Sequence, residues 1–95
     1  MNYRFNDAAT KDLTSIYHFG IERFGIAQAD RYLGGLLDFL DELAEAPTTY
    51  PKLGSDAPGY RRAVWKRTSI LYRDTDGVEI MRILGQQDPR SALKL

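Results

Sequence analysis

Apolar side chains recur at Ala9, Leu13, Ile16, Gly20 and Phe24, at spacings of 4, 3, 4 and 4. Those positions share one stripe of a helix, so the spacing predicts an amphipathic helix over 7–24. Asn6 and Asp7 can open it, because their side-chain oxygens accept the first free backbone N–H groups. Gly20 weakens its interior by roughly 1 kcal/mol relative to alanine, and Gly25 can take the left-handed conformation that ends it. A second stripe follows at Ala29, Leu33, Leu36, Leu40 and Leu43, widened by Tyr32, Leu37 and Ala44. Asp30, Arg31, Gly34, Asp38, Asp41, Glu42 and Glu45 occupy the other face, and Pro47 forbids continuation. A link centred on one glycine joins the two helices into an antiparallel hairpin.

Two periodic helices cannot satisfy each other's apolar faces alone, and the rest of the chain supplies a sheet. Tyr3-Arg4-Phe5 alternates as a short strand. Residues 47–59 carry three of the four prolines and read as a loop. Tyr60–Lys66, Ser69–Asp74 and Val78–Leu84 are rich in Val, Ile, Tyr and Trp and read as strands, with Asp74-Thr75-Asp76-Gly77 as a tight turn. The predicted architecture is α+β, in the order β-α-α-β-β-β. An antiparallel helix hairpin packs on one face of a small, mainly antiparallel twisted sheet, as one domain over 1–95. Strict alternation sets Ile70 and Tyr72 opposite Leu71, and Val78, Ile80 and Leu84 opposite Met81 and Ile83. Both faces are then partly apolar, with Arg61, Arg73 and Arg82 interleaved. The second face calls for a cover, either the C-terminal tail or a partner.

Composition narrows the chemistry. Ninety-five residues make one modest core, with 43% hydrophobic and 27% charged residues. Cysteine is absent and His18 is the one histidine, which removes disulfides, thiolate metal sites and two-histidine acid–base pairs. No cofactor or metal is expected. The N-terminus has no apolar signal region and no stretch approaches a membrane span, so a soluble, cytoplasmic protein is expected. His18 has no carboxylate at an obvious dyad spacing, the serines lack a nucleophile elbow, and the helix acids form a solvated face. Gly34-Gly35 lies inside a helix and points to close helix–helix packing rather than a phosphate loop.

Net charge is zero, but it is polarised. Residues 1–47 hold four basic side chains against eight acidic, and residues 48–95 hold nine basic against five acidic. Between Tyr60 and Arg73 stand Arg61, Arg62, Lys66, Arg67 and Arg73, with Tyr60, Trp65 and Tyr72 among them and no acid. Such a run suits phosphates and bases, an acidic protein surface, or a solvated strand edge guarded against pairing.

The order of short motifs resembles a known family. Ala9…Asp12-Leu13…Ile16 leads to Phe24-Gly25…Gln28-Ala29…Tyr32 and Ala46-Pro47. Then come Gly59-Tyr60-Arg61, Ile70-Leu71-Tyr72-Arg73, Ile80-Met81-Arg82-Ile83-Leu84 and Gln87-Asp88-Pro89. Over nearly the whole chain this resembles the ParE toxins of the RelE/ParE superfamily, the toxic halves of bacterial type II toxin–antitoxin modules. RelE-like members are ribosome-dependent mRNA ribonucleases that use basic side chains and a tyrosine near the C-terminus. Their corresponding positions here hold Ser69, Gln87 and Leu93, which favours the ParE branch. The chain departs from many ParE-like sequences at Gly85, where they carry histidine.

The resemblance implies a non-enzymatic toxin that poisons DNA gyrase by binding, with DNA contact only indirect, and is neutralised by a ParD-like antitoxin. Target contacts are expected at Arg61, Arg62, Trp65, Lys66, Arg67, Arg73, Arg82 and Arg90. Antitoxin contacts are expected at Tyr17, Phe19, Ile21, Leu37, Phe39, Leu71, Met81 and Ile83. The alternatives are a RelE-like ribonuclease using relocated residues such as Arg82 and Arg90, and a non-toxic antitoxin-binding module.

Overall fold

The computed structural model describes residues 2–54 and 58–85. The elements follow in the predicted order: β1 (Tyr3–Phe5), α1 (Asp7–Phe24), α2 (Ile26–Glu45), β2 (Tyr60–Trp65), β3 (Thr68–Asp74) and β4 (Val78–Leu84). Asn6 caps α1, its Oδ1 accepting from the Ala9 N–H at 2.8 Å. Gly25 both ends α1 and starts α2. Its N–H donates to Ile21 O at 2.9 Å, its carbonyl accepts from Ala29 N at 3.0 Å, and its φ of 89° is a conformation glycine adopts without steric cost. Gly20 of α1 faces Ala29 of α2; a Cβ on Gly20 would lie 3.4 Å from the Ala29 Cβ.

The sheet runs β1-β4-β3-β2. β2–β3 and β3–β4 are antiparallel, while β1 lies parallel to β4 along Tyr3–Phe5. Both helices cover one face. Leu36, Leu40 and Leu43 of α2 are buried in one cluster with Ala63, Ile70, Tyr72, Val78 and Ile80. That face takes Ile70, Val78 and Ile80 from the strands, and each such side chain taken from water contributes about 1.5–3 kcal/mol.

The strict alternation expected along β4 breaks at one point. Register slips between Leu71 and Tyr72, which pair with Arg82 and Ile80, so Met81 has no partner across the ladder. This β-bulge adds one residue to β4 and reverses its parity. Ile83, expected beside Met81 on the outer face, is therefore a core residue, 2% exposed. Leu84, expected with Ile80, instead pairs with Ser69 outside the core. Any cover from the C-terminal tail falls outside the described residues.

Two further expectations change. Phe24 closes the α1 stripe in sequence but is 50% exposed. The core draws on Ala9, Leu13 and Ile16 from α1 and on Leu36–Ala44 from α2, so the hairpin tip projects beyond it. Of Gly34-Gly35, expected at a helix–helix contact, Gly35 serves helix–sheet packing instead: a Cβ on it would lie 2.8 Å from Trp65 Cζ2, while Gly34 faces open space.

Thr68 is buried at the start of β3, and its hydroxyl shares a hydrogen bond with the Tyr32 hydroxyl. Thr68→Val strands that phenol and is expected to cost about 1–2 kcal/mol. Tyr32→Phe combined with Thr68→Val should cost less than the two single changes together, because no polar group is then left without a partner. Urea unfolding of the four proteins measures this, and strict additivity would contradict it.

Candidate functional site

The pleat of β2 splits the basic run. Arg61 points to the helix side, where its Nη1 donates to Tyr50 O at 2.6 Å and Thr48 O at 3.5 Å. Its cross-strand partner Tyr72 donates to Pro47 O at 2.5 Å, and burial pushes the Tyr72 phenol above its ordinary range, so it stays a donor. Two residues of the sheet thus fasten the chain leaving α2. Part of the stretch expected to be a loop becomes sheet-like, as Lys52 bridges to Arg61. Trp65 shares the helix-side parity. Its ring is half-buried, 5.1 Å from Tyr32 and 6.4 Å from Phe39, centroid to centroid. Trp65 is therefore packed against the helices rather than standing beside Arg62 as a stacking platform.

The outer face carries Tyr60, Arg73, Glu79 and Arg4 in one row across all four strands. Arg73 meets Glu79 Oε1 through Nε at 3.0 Å and Nη2 at 2.9 Å. Arg4 lies 3.7 Å from the same oxygen and donates to Asp76 O at 3.0 Å. Glu79 supplies the acid that the run itself lacks. Arg82 is held by Asp12 of α1, through Nε at 2.7 Å and Nη2 at 3.1 Å. That hydrogen bonding pushes the Arg82 guanidinium further toward its charged form. Asp12 Oδ2 also accepts from the Ile83 N–H at 2.9 Å, closing the β4 edge beyond the end of β1.

Arg62, Lys66 and Arg67 remain, with no ion pair among the described residues. Arg62 donates to Ser69 Oγ at 3.0 Å. Lys66 and Arg67 form the two-residue connection between Trp65 and Thr68. Lys66 has φ 54°, a left-handed conformation costing a lysine about 1 kcal/mol. Its ammonium lies 4.8 Å from the Trp65 ring centroid, which offsets part of that cost. Arg90 lies outside the described residues.

The expected antitoxin contacts fall into three groups. Tyr17, Phe19 and Ile21 lie toward the tip of α1. Tyr17 donates to Asp30 Oδ1 at 2.5 Å, which raises its pKa, and Arg23 stacks 5.4 Å over the Phe19 ring. Leu37 and Phe39 are half-buried against the core. Leu71 and Met81 are half-buried outside it, and Ile83 is inside it. The most exposed large apolar side chains include Phe24, Ile26 and Val64, at 50%, 62% and 54%. None of the three is among the expected contacts: in the sequence Phe24 completes a helical stripe and Val64 alternates within a strand.

Gly85, the departure from the family pattern, has a packing reason. A Cβ there would lie 2.9 Å from Ile16 Cγ1. Among the described residues, no three His, Asp or Glu side chains come together as a cation cage, and no helix is long and apolar enough to cross a membrane.

Residues 3–89 match the family model of the ParE toxin of the type II toxin–antitoxin system parDE. The chain is 32% identical over 84 residues to Toxin ParE1 of Caulobacter vibrioides, covering 88% of each. It is 30% identical over 87 residues to Toxin ParE1 of Mycobacterium tuberculosis, covering 90% of this chain and 89% of the relative. The fold is similar to that of a chain from the chromosomal ParDE system of P. aeruginosa, with TM-score 0.77 and 20% identity over 92% of this chain and 97% of that one. It is also similar to a chain of the M. tuberculosis RelBE2 toxin–antitoxin complex, with TM-score 0.66 and 23% identity over 86% and 93%. The order of elements, the mixed four-stranded sheet and the match over nearly the full sequence converge: the chain belongs to the ParE toxin family of type II toxin–antitoxin systems.

Proposed function

We propose that this chain, one domain over 1–95, acts in the cytoplasm as a toxin that poisons DNA gyrase by binding it, and that a ParD-like antitoxin neutralises it. The observation that carries the reading is the family match over residues 3–89. The site geometry adds to it. Arg73 and Arg82 are engaged by carboxylates and Arg61 by loop carbonyls. Arginines committed in this way suit a binding surface better than the stabilisation of a phosphodiester transition state, which calls for donors aimed at the reacting group. Target contact is assigned to Arg62, Lys66 and Arg67 at the end of the β2–β3 hairpin. Antitoxin contact is assigned to the α1–α2 tip around Tyr17, Phe19 and Ile21, with Leu71 and Met81 on the sheet. An antitoxin tail folding on that surface gains about 25 cal/mol per Å² of apolar area buried, less the entropy of ordering the tail.

The test is a triple charge reversal, Arg62→Glu, Lys66→Glu and Arg67→Glu. It is expected to weaken inhibition of purified gyrase at least tenfold while leaving thermal unfolding within a few degrees of the parent. Undiminished inhibition by the folded variant would remove these residues from the target surface. In a translation extract, messenger RNA is expected to stay intact. Cleavage there would establish the ribonuclease alternative, which the fold shared with the RelBE2 toxin complex brings into view.

A further inference from the structure

β2 is the outer strand of the sheet, and its free edge is only half covered. Leu53 N–H donates to Tyr60 O at 2.8 Å and Arg62 N–H to Pro51 O at 3.1 Å, so the 51–53 segment lies antiparallel to the first half of β2. These two bonds fix which backbone groups point outward along the strand: those of the even-numbered residues. At Pro51 the chain leaves the edge. Beyond it, the Arg62 carbonyl and both backbone groups of Val64 face outward with no backbone partner among the described residues. The Val64 side chain is 54% exposed beside them. On the opposite edge β1 covers the first half of β4, and beyond it the Asp12 carboxylate takes the Ile83 N–H.

We propose that this open half-edge, from Arg62 to Arg67, takes an extended acidic segment of a partner protein as an added strand. Such a strand would continue the row that 51–53 begins, satisfy the Val64 N–H and C=O, and lay an apolar side chain against Val64. Charge selects its composition. Arg62, Lys66 and Arg67 surround the edge without a carboxylate partner among the described residues, whereas Arg73 and Arg82 are paired. A lysine stands at position 66 with φ 54°, in a turn position that favours glycine. A nucleic-acid strand fits less well, because the Trp65 ring beside these cations is packed against Tyr32 and Phe39. Basic side chains on an edge repel other basic edges, and the same charges attract an acidic strand. The proposal deepens the binding reading above by naming the chemistry of the partner at the cationic end, and it rests on that reading for the assignment of this end to a partner.

The test measures backbone amide exchange in the isotope-labelled full chain with two synthetic peptides. One alternates glutamate and valine over about ten residues. The other carries a central proline that prevents strand pairing. The alternating peptide is expected to slow exchange of the Val64 amide at least tenfold, and the proline peptide to leave it unchanged. Arg62→Glu with Arg67→Glu should weaken the alternating peptide at least tenfold without altering thermal unfolding. Unchanged Val64 exchange at millimolar peptide, equal protection by the proline peptide, or stronger protection by a single-stranded oligothymidylate would overturn the proposal. Gyrase and antitoxin are absent from the sample, so failure here leaves the gyrase result standing, and failure of gyrase inhibition leaves this one standing.

Discussion

Asp12→Ala is expected to lower stability by about 2–3 kcal/mol, a fall of roughly 10–20 °C in Tm for a domain of this size. Asp12 does two jobs at once. It accepts the Ile83 N–H at 2.9 Å where β4 runs past the end of β1, and it holds Arg82 through two hydrogen bonds. Its side chain is 17% exposed and that of Arg82 is 49% exposed. The ion pair is therefore well screened, and alone should contribute under about 1 kcal/mol. The larger share comes from the backbone donor left without an acceptor beside the buried Ile83. Arg82→Ala should accordingly cost much less than Asp12→Ala, and Asp12→Asn, which retains an acceptor, should fall between them. Thermal and urea unfolding of the three variants tests this order. Equal losses for Asp12→Ala and Arg82→Ala would contradict the assignment of the edge to the carboxylate.

Two adjacent glycines of α2 are expected to respond in opposite directions to alanine. Gly34 faces open space, so Gly34→Ala adds helix propensity without a clash and should stabilise by up to about 1 kcal/mol. At Gly35 the new Cβ would lie 2.8 Å from Trp65 Cζ2 and 3.1 Å from Cη2. The ring is held between Tyr32 and Phe39 and cannot yield freely. Overpacking of this kind costs about 1–3 kcal/mol, which outweighs the propensity gain, so Gly35→Ala should destabilise and Gly35→Val more so. Trp65 fluorescence should shift in the Gly35 variants and stay constant in Gly34→Ala. A Gly35→Ala protein more stable than the parent would show that the helix–sheet spacing is not set by this contact.

The helix limits were legible because each has a local chemical marker: the Asn6 side chain, the positive φ of Gly25 and the ring of Pro47. Strand limits came within a residue, since β-branched and aromatic runs end at evident turns. The face of Ile83 was not legible. The bulge at Met81 is a property of pairing between β3 and β4, and no glycine in β4 announces it. The fate of the cations was hidden for a similar reason. The acid that engages Arg82 stands 70 residues earlier, on what reads as an ordinary polar helix face. Trp65 lies within a basic run and looks like a stacking residue, until the pleat turns it toward the gap beside Gly35. Local chemistry is written in neighbouring residues, whereas the candidate site is assembled from residues brought together by the fold.

The proposed poisoning of gyrase is measured by supercoiling with purified gyrase and increasing amounts of the antitoxin-free protein, scored also for trapped cleaved DNA. Loss of supercoiling together with accumulation of cleaved DNA is the expected result. Full gyrase activity at a large molar excess of folded protein would contradict it.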